Sequence, residues 1–88
     1  MTVTVNQKFI KDLAKLPTNY RQKIEQFVFE ESERFESIEE IKGLKKLQGY
    51  QTYYRRRFGD YRVGIRFEDD ELVFERVLHR KDIYRYFP

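Results

Sequence analysis

The run Tyr54-Arg55-Arg56-Arg57-Phe58-Gly59-Asp60-Tyr61-Arg62 sets a two-residue hairpin signal among strand-forming and cationic side chains, which leaves this part of the chain few conformations. Glycine at the first central position of Gly59-Asp60 suits a type II′ turn, whose twist matches that of the strands it joins. Phe58 then faces Tyr61. Counting outward pairs Arg57 with Arg62, Arg56 with Val63, Arg55 with Gly64 and Tyr53 with Arg66. Period-two alternation puts Tyr53, Arg55, Arg57, Arg62, Gly64 and Arg66 on one face, and Tyr54, Arg56, Phe58, Tyr61, Val63, Ile65 and Phe67 on the other. One face is cationic and the other mostly apolar. Like charges directly opposite each other, as at Arg57 and Arg62, destabilise a hairpin unless an anion lies between them. The cationic face therefore calls for a polyphosphate.

At 88 residues the chain has room for one small domain, spanning 1–88, and none for a second. A domain this size buries roughly 60–65% of its unfolded surface, and here seven tyrosines and eight phenylalanines supply most of the bulk. The absence of cysteine excludes a disulfide framework and a thiolate metal site, and a single histidine argues against zinc. No metal and no cofactor is expected. The opening MTVTVNQKF lacks the apolar run of a signal peptide, and no stretch approaches the roughly 20 apolar residues of a membrane span. The expected location is the cytoplasm, with no membrane partner.

Charge is segregated along the chain. Residues 20–41 hold three basic side chains against seven acidic ones, the pattern of a solvated helix face. Residues 42–66 hold eight basic side chains against Asp60 alone. Alternating arginines on a strand are an unusual way to be merely soluble, so nucleic acid or another polyanion is the expected partner.

The remaining pattern gives a simple order of elements. Val3 and Val5 alternate with threonines in a short first strand, and Asn6 suits the N-cap of a helix with Phe9, Ile10, Leu13 and Leu16 on one side, ended by Pro17. A second helix runs from about Thr18 to Phe35, burying Tyr20, Ile24, Phe27, Val28 and Phe35. Ile38, Ile41, Leu44 and Leu47 follow in a segment broken by Gly43 and Gly49, which reads as a packed loop or short turn. Asp69-Asp70 closes a second, weaker hairpin that aligns Arg62 with Val77, Gly64 with Glu75 and Arg66 with Val73, with Leu72, Phe74 and Leu78 joining the apolar face. The expected fold is α+β, a small βααβββ domain in which an antiparallel twisted sheet carries an N-terminal helical hairpin on one face and leaves the other free.

This order of elements, with two motifs, resembles the RelE/ParE toxin superfamily. The motifs are Lys46-Leu47-Gln48-Gly49-Tyr50 leading into Tyr53–Arg62, and Val77-Leu78-His79-Arg80-Lys81-Asp82-Ile83-Tyr84. The resemblance spans nearly the whole chain. It implies a toxin neutralised by a cognate antitoxin in a hetero-oligomeric complex, RelE-like members cutting mRNA in the ribosomal A site and ParE-like members poisoning DNA gyrase. RelE-like nucleases place basic residues at the positions of Arg55 and Arg57, arginines at those of Arg62 and Arg80, and a tyrosine at that of Tyr84. All five are present.

Metal-free RNA cleavage uses the ribose 2′-OH as nucleophile and leaves a 2′,3′-cyclic phosphate and a 5′-OH. The site must stabilise a pentacoordinate phosphorane and move two protons. Guanidinium forks suit the first task, because they match phosphate oxygens bidentately and keep their charge. They suit the second poorly, so Arg55, Arg57, Arg62 and Arg80 read as electrostatic clamps, and His79, Tyr84 and Glu75 remain to move protons. His79 has the most suitable unperturbed pKa, about 6.5. Glu75 is as readily a salt-bridge partner for Arg62 and Arg66, and Tyr84 suits stacking on a base or bonding the phosphate better than ionising. Arg56 departs from the usual aliphatic residue, and Arg76 falls on the same apolar face; both are expected to reach the sheet edge or pair with helix acids such as Glu31, because an unpaired buried guanidinium is costly. Alternatives to the ribosome-dependent endoribonuclease are a gyrase inhibitor and a fold member that binds nucleic acid without cutting it. An antitoxin helix or strand that covered the sheet rim and laid acids on the arginines would block RNA sterically and electrostatically.

Overall fold

The computed structural model describes residues 1–88. Strand β1 (Thr2–Val5) leads into helix α1 (Gln7–Ala14), whose N-cap is Asn6, its Oδ1 accepting from the Phe9 N–H at 2.9 Å. Helix α2 (Thr18–Glu25) continues through a π-turn (Gln26–Glu31) and a 3-10 turn (Ser32–Arg34), so the chain stays helical almost to Phe35. The buried Ser32 hydroxyl donates back to the Val28 carbonyl, a bond that competes with the helical ladder where its geometry changes. Four strands follow: β2 (Leu44–Lys46), β3 (Tyr53–Phe58), β4 (Tyr61–Glu68) and β5 (Glu71–His79), then the short helix α3 (Ile83–Tyr86). No helix is long and apolar enough to cross a membrane.

The sheet order is β1-β5-β4-β3-β2. The α+β class and the helical hairpin on one face are as expected, with two differences in the sheet. Residues 44–46, expected in a loop, pair antiparallel with β3, Lys45 opposite Arg55. That extra antiparallel strand reverses the direction in which β5 runs, so β1 pairs with β5 in parallel, Val3 against Leu72 and Val5 against Phe74. The core lies between the sheet and the hairpin: Phe9, Ile24 and Phe27 from the helices meet Val63, Ile65, Leu72, Phe74 and Val77 from the strands. Ile10, expected on the buried side, is left largely exposed.

Both turns are tight. Gly59 has φ +59°, as a type II′ turn requires at its first central position, and the β3–β4 pairing follows the expected register from Phe58–Tyr61 to Tyr53–Arg66. Asp69 and Asp70, with φ +52° and +60°, form the mirror-image turn that needs left-handed backbone at both positions, which aspartate tolerates better than most residues. The β4–β5 register departs from expectation at a bulge: Ile65 faces Phe74 and Gly64 faces Arg76, so Glu75 has no cross-strand partner. Beyond it Val63 faces Val77, Arg62 faces Leu78 and Tyr61 faces His79. A one-residue slip exchanges the faces of everything that follows. It buries Val77 completely and takes Leu78 out of the core.

The two arginines expected on the apolar face are resolved in different ways. β1 ends at Val5, which leaves the outer edge of β5 unpaired beyond Phe74, and Asp12 of α1 fills the gap by accepting the Val77 N–H at 3.2 Å. Asp12 also accepts from Nε and Nη2 of Arg76 at 2.7 and 3.1 Å, which raises the Arg76 pKa, the hydrogen bond outweighing burial. Arg56 instead lies over the rings of Phe27 and Phe58, its Cζ 4.3 and 4.8 Å from their centroids. Burial lowers its pKa and Glu31 opposes that across space, without a close ion pair.

The second face of the sheet, expected to be free, is partly covered. Ile83 of α3 is fully buried and Phe87 is 3% exposed, its ring lying directly on Gly64. A Cβ on Gly64 would sit 2.7 Å from Phe87 Cδ2, and Tyr53 meets the same ring edge-on at 5.5 Å. Gly64→Val is expected to unseat Phe87 and α3 and to cost about 1–3 kcal/mol. Thermal melting checks this, and a wild-type melting temperature would show that the ring moves aside freely.

Candidate nucleic-acid interface

Three strands and the C-terminal helix build a cationic patch on the face opposite the helical hairpin. Arg55 and Arg57 stand two residues apart on β3, so both point to this side, and Arg62 faces Arg57 across the first hairpin. Arg62 is the centre of the group, only 9% exposed. Its Nη1 donates to the carbonyls of Gly59 at 2.6 Å and Tyr61 at 3.0 Å, which folds the side chain back against the turn. A guanidinium has five N–H donors, so those on Nε and Nη2 remain for a ligand, and none is a sealed, unsatisfied group.

No carboxylate pairs with Arg55, Arg57 or Arg62, in contrast to Arg66 on β4 and Arg76 on β5. Arg66 has Glu68 at 3.3 Å and Glu75 at 3.4 Å, and Arg76 has Asp12. The pKa of Arg62 is lowered, first by burial and then by the positive charges of Arg57 and Arg55; Tyr84 acts in the opposite sense and Arg80 adds to the depression. Arg62 therefore lies within electrostatic reach of Arg55, Arg57, Arg80 and Tyr84 together. A half-closed guanidinium among three others is costly to hold without an anion.

Arg80 reaches the patch from beyond β5. Its backbone N–H donates to the Asp60 carbonyl at 2.7 Å, and its Nε lies 3.6 Å from the Asp60 carboxylate in an exposed pair of small energetic weight. Tyr84, 56% exposed, is carried by α3 and flanks a cavity of about 250 Å³ whose opposite side includes Tyr50 and Gln48. This side of the sheet thus offers fixed positive charge beside an open aromatic surface.

The structure separates His79 from these residues. The bulge sets it opposite Tyr61, whose ring it meets edge-on at 5.4 Å, and Tyr61 in turn packs on Tyr20 of α2 at 4.8 Å. His79 lies on the hairpin side of the sheet, away from Arg62, and its Nδ1 accepts the Lys81 N–H at 3.2 Å. The slip also releases Glu75 from its expected place opposite Gly64. Its carboxylate accepts from Asn6 Nδ2 at 3.0 Å and from Arg66 Nε at 3.4 Å, a bridging position between α1 and β4. His79→Asn, which keeps an acceptor for Lys81, is expected to retain wild-type toxicity and an unchanged pH profile between pH 5 and 8, where histidine titrates. Loss of activity in that variant would return His79 to the site.

Lys45 belongs to the patch and was not anticipated there. It is exposed on β2 directly opposite Arg55, so it shares that residue's face. Leu44 against Arg56 on the other side completes the alternation, the only local sign that these three residues form a strand. No three histidine or carboxylate side chains converge as a metal-ligand set.

A sequence model of the family described as "ParE toxin of type II toxin-antitoxin system, parDE" matches residues 3–84. The chain is 44% identical over 89 residues to Toxin RelE3 of Methanocaldococcus jannaschii, covering 100% of both chains. Its fold is similar to a chain of the RelB-RelE antitoxin-toxin complex from Methanococcus jannaschii, with TM-score 0.80, 42% identity, and coverage of 97% of this chain and 99% of that one. A chain of the toxin-antitoxin complex RelBE2 from Mycobacterium tuberculosis is similar with TM-score 0.68 and 29% identity, over 90% and 96% of the two chains.

Proposed function

Since the chain belongs to the ParE toxin family of type II toxin-antitoxin systems and is a toxin of the RelBE type, we propose that it acts as a metal-independent endoribonuclease that cuts mRNA positioned in the ribosomal A site. The observation that carries this reading is Arg62: a residue only 9% exposed, its guanidinium anchored by two backbone carbonyls, without an acid, and flanked by Arg55, Arg57 and Arg80. The scissile phosphate sits on that group. Attack by the ribose 2′-OH on phosphorus forms a phosphorane whose added negative charge the fixed guanidinium donors stabilise, and departure of the 5′-oxygen leaves the cyclic phosphate. Tyr84 and the surface beside it hold a base by stacking. The proton transfers fall to groups on this side of the sheet, Tyr84 and Lys45, or to water, since arginine cannot give up its proton.

The toxin works in the cytoplasm as a single domain over residues 1–88, and a cognate antitoxin neutralises it in a hetero-oligomeric complex. Two similar chains come from structures of antitoxin-toxin complexes, which supports that partner. An acidic antitoxin segment over the arginines would supply the counter-charge that the free protein lacks. Primer extension on mRNA translated in a cell-free system tests the nuclease. New 5′ ends in frame with codons, absent when ribosomes are omitted, are the expected result. Intact message together with inhibited gyrase supercoiling would assign the protein to the gyrase-poisoning branch of the family.

A further inference from the structure

A larger cavity opens on the other side of the C-terminal segment, where the patch face of the sheet meets β5 and the start of α1. It measures about 570 Å³, within the range of about 300–1,000 Å³ typical of ligand sites. Phe87 and Pro88 line both it and the smaller cavity beside Tyr84, so the two share a wall. Tyr53 and Tyr86 line it, the latter 53% exposed with the Arg76 guanidinium 5.5 Å from its ring centroid. Above them stand Lys8 and Lys11, three residues apart on one face of α1, exposed and without an acid partner. Glu75 lies in the same cavity.

We infer that this cavity is a second RNA subsite, which takes one unpaired nucleotide adjoining the segment held at the arginine patch. The inference rests on the endoribonuclease reading and extends its substrate contact. Three features select single-stranded RNA as the occupant. Flat tyrosine surface beside free ammonium groups is what an unpaired base and its phosphate require. The shared wall lets one strand run from Arg62 past Tyr84 and over Phe87 to Lys8 and Lys11. The Glu75 carboxylate inside the cavity, its charge met by Arg66, keeps lone pairs free to accept hydrogen bonds from base amino groups, donors that the side chains of an acidic peptide lack.

The test is the affinity of uncleavable 2′-O-methyl oligonucleotides, a dinucleotide and a hexanucleotide, measured by fluorescence anisotropy over a range of salt concentrations. Lys8→Ala/Lys11→Ala alters exposed side chains only and keeps the fold. It is expected to weaken the hexanucleotide by about three- to tenfold and to flatten its salt dependence by about 0.7 per lost phosphate contact. Tyr86→Ala is expected to weaken it by about five- to tenfold. Neither variant changes the dinucleotide. Equal losses for both lengths, or none, with Arg62→Ala still abolishing binding, would overturn the subsite and leave the patch intact. Wild-type protein that binds neither oligonucleotide would overturn the subsite, whereas the endoribonuclease reading falls only if message translated on ribosomes also stays intact. An acidic peptide that needs the lysines when the hexanucleotide does not would assign the cavity to a protein partner and overturn the proposal.

Discussion

In Arg62→Ala, mRNA cleavage is expected to fall by about two to three orders of magnitude while the protein stays folded. Arg62 is the one member of the patch that is buried as a residue and has its guanidinium fixed to the backbone, so its donors are aimed before substrate arrives. Donors that need no reorganisation at the moment of reaction are the ones whose removal costs most. Stability moves little because two effects oppose each other. The two bonds to the Gly59 and Tyr61 carbonyls are lost, at about 1 kcal/mol each. Against that, an acid-free charge leaves a half-closed position opposite Arg57, which relieves repulsion and desolvation. Arg62→Lys separates charge from geometry: it keeps the cation but lacks the planar fork, so intermediate cleavage is expected. In-frame 5′ ends counted by primer extension, beside a thermal melt, read both quantities. Wild-type cleavage in Arg62→Ala would place the chemistry elsewhere.

Asp12→Ala is expected to cost about 2–4 kcal/mol of stability, because it leaves the buried Val77 N–H without a partner and takes the carboxylate from the partly buried Arg76 guanidinium. Asp12 is 8% exposed and accepts all three hydrogen bonds itself. A domain of 88 residues has about 4–13 kcal/mol in total, so this single change takes a large share and brings the protein near unfolding. The mechanism distinguishes itself from simple loss of packing. Arg76→Met in the same background removes the stranded charge and is expected to restore part of the loss, a coupling that a double-mutant cycle in urea measures. A cost below about 1 kcal/mol in the single variant would show that water replaces the carboxylate at the edge of β5.

How much of this was readable from the chain depended on how local the determining interaction is. The β3–β4 register follows from Gly59-Asp60 and from alternation alone, and the structure reproduces it pair by pair. The patch of Arg55, Arg57 and Arg62 came with it. The β4–β5 register was not readable, because the bulge at Glu75 reflects contacts far away in sequence: the early end of β1, the carboxylate of Asp12 and the burial of Val77. His79 changed sides for that reason. β2 was hidden by its length of three residues between Gly43 and Gly49, and the parallel pairing of β1 was hidden with it. Gly64 did carry a usable sign, since glycine inside a strand often marks the close approach of another group. Here that group is Phe87, the reason the second face is not free.

Asp12 and Arg76 are 64 positions apart in the chain, whereas β3, β4 and β5 are joined by two-residue turns. Loop closure costs less for the strand meander than for the contact between α1 and β5, so that contact is expected to form late. A contact made after the folding barrier barely changes how fast a chain folds and mainly sets how fast it comes apart. On that order Asp12 acts as a latch: Asp12→Ala is expected to speed unfolding far more than it slows folding, so the lifetime of the assembled arginine face is set from α1, by a residue that belongs to no part of the patch.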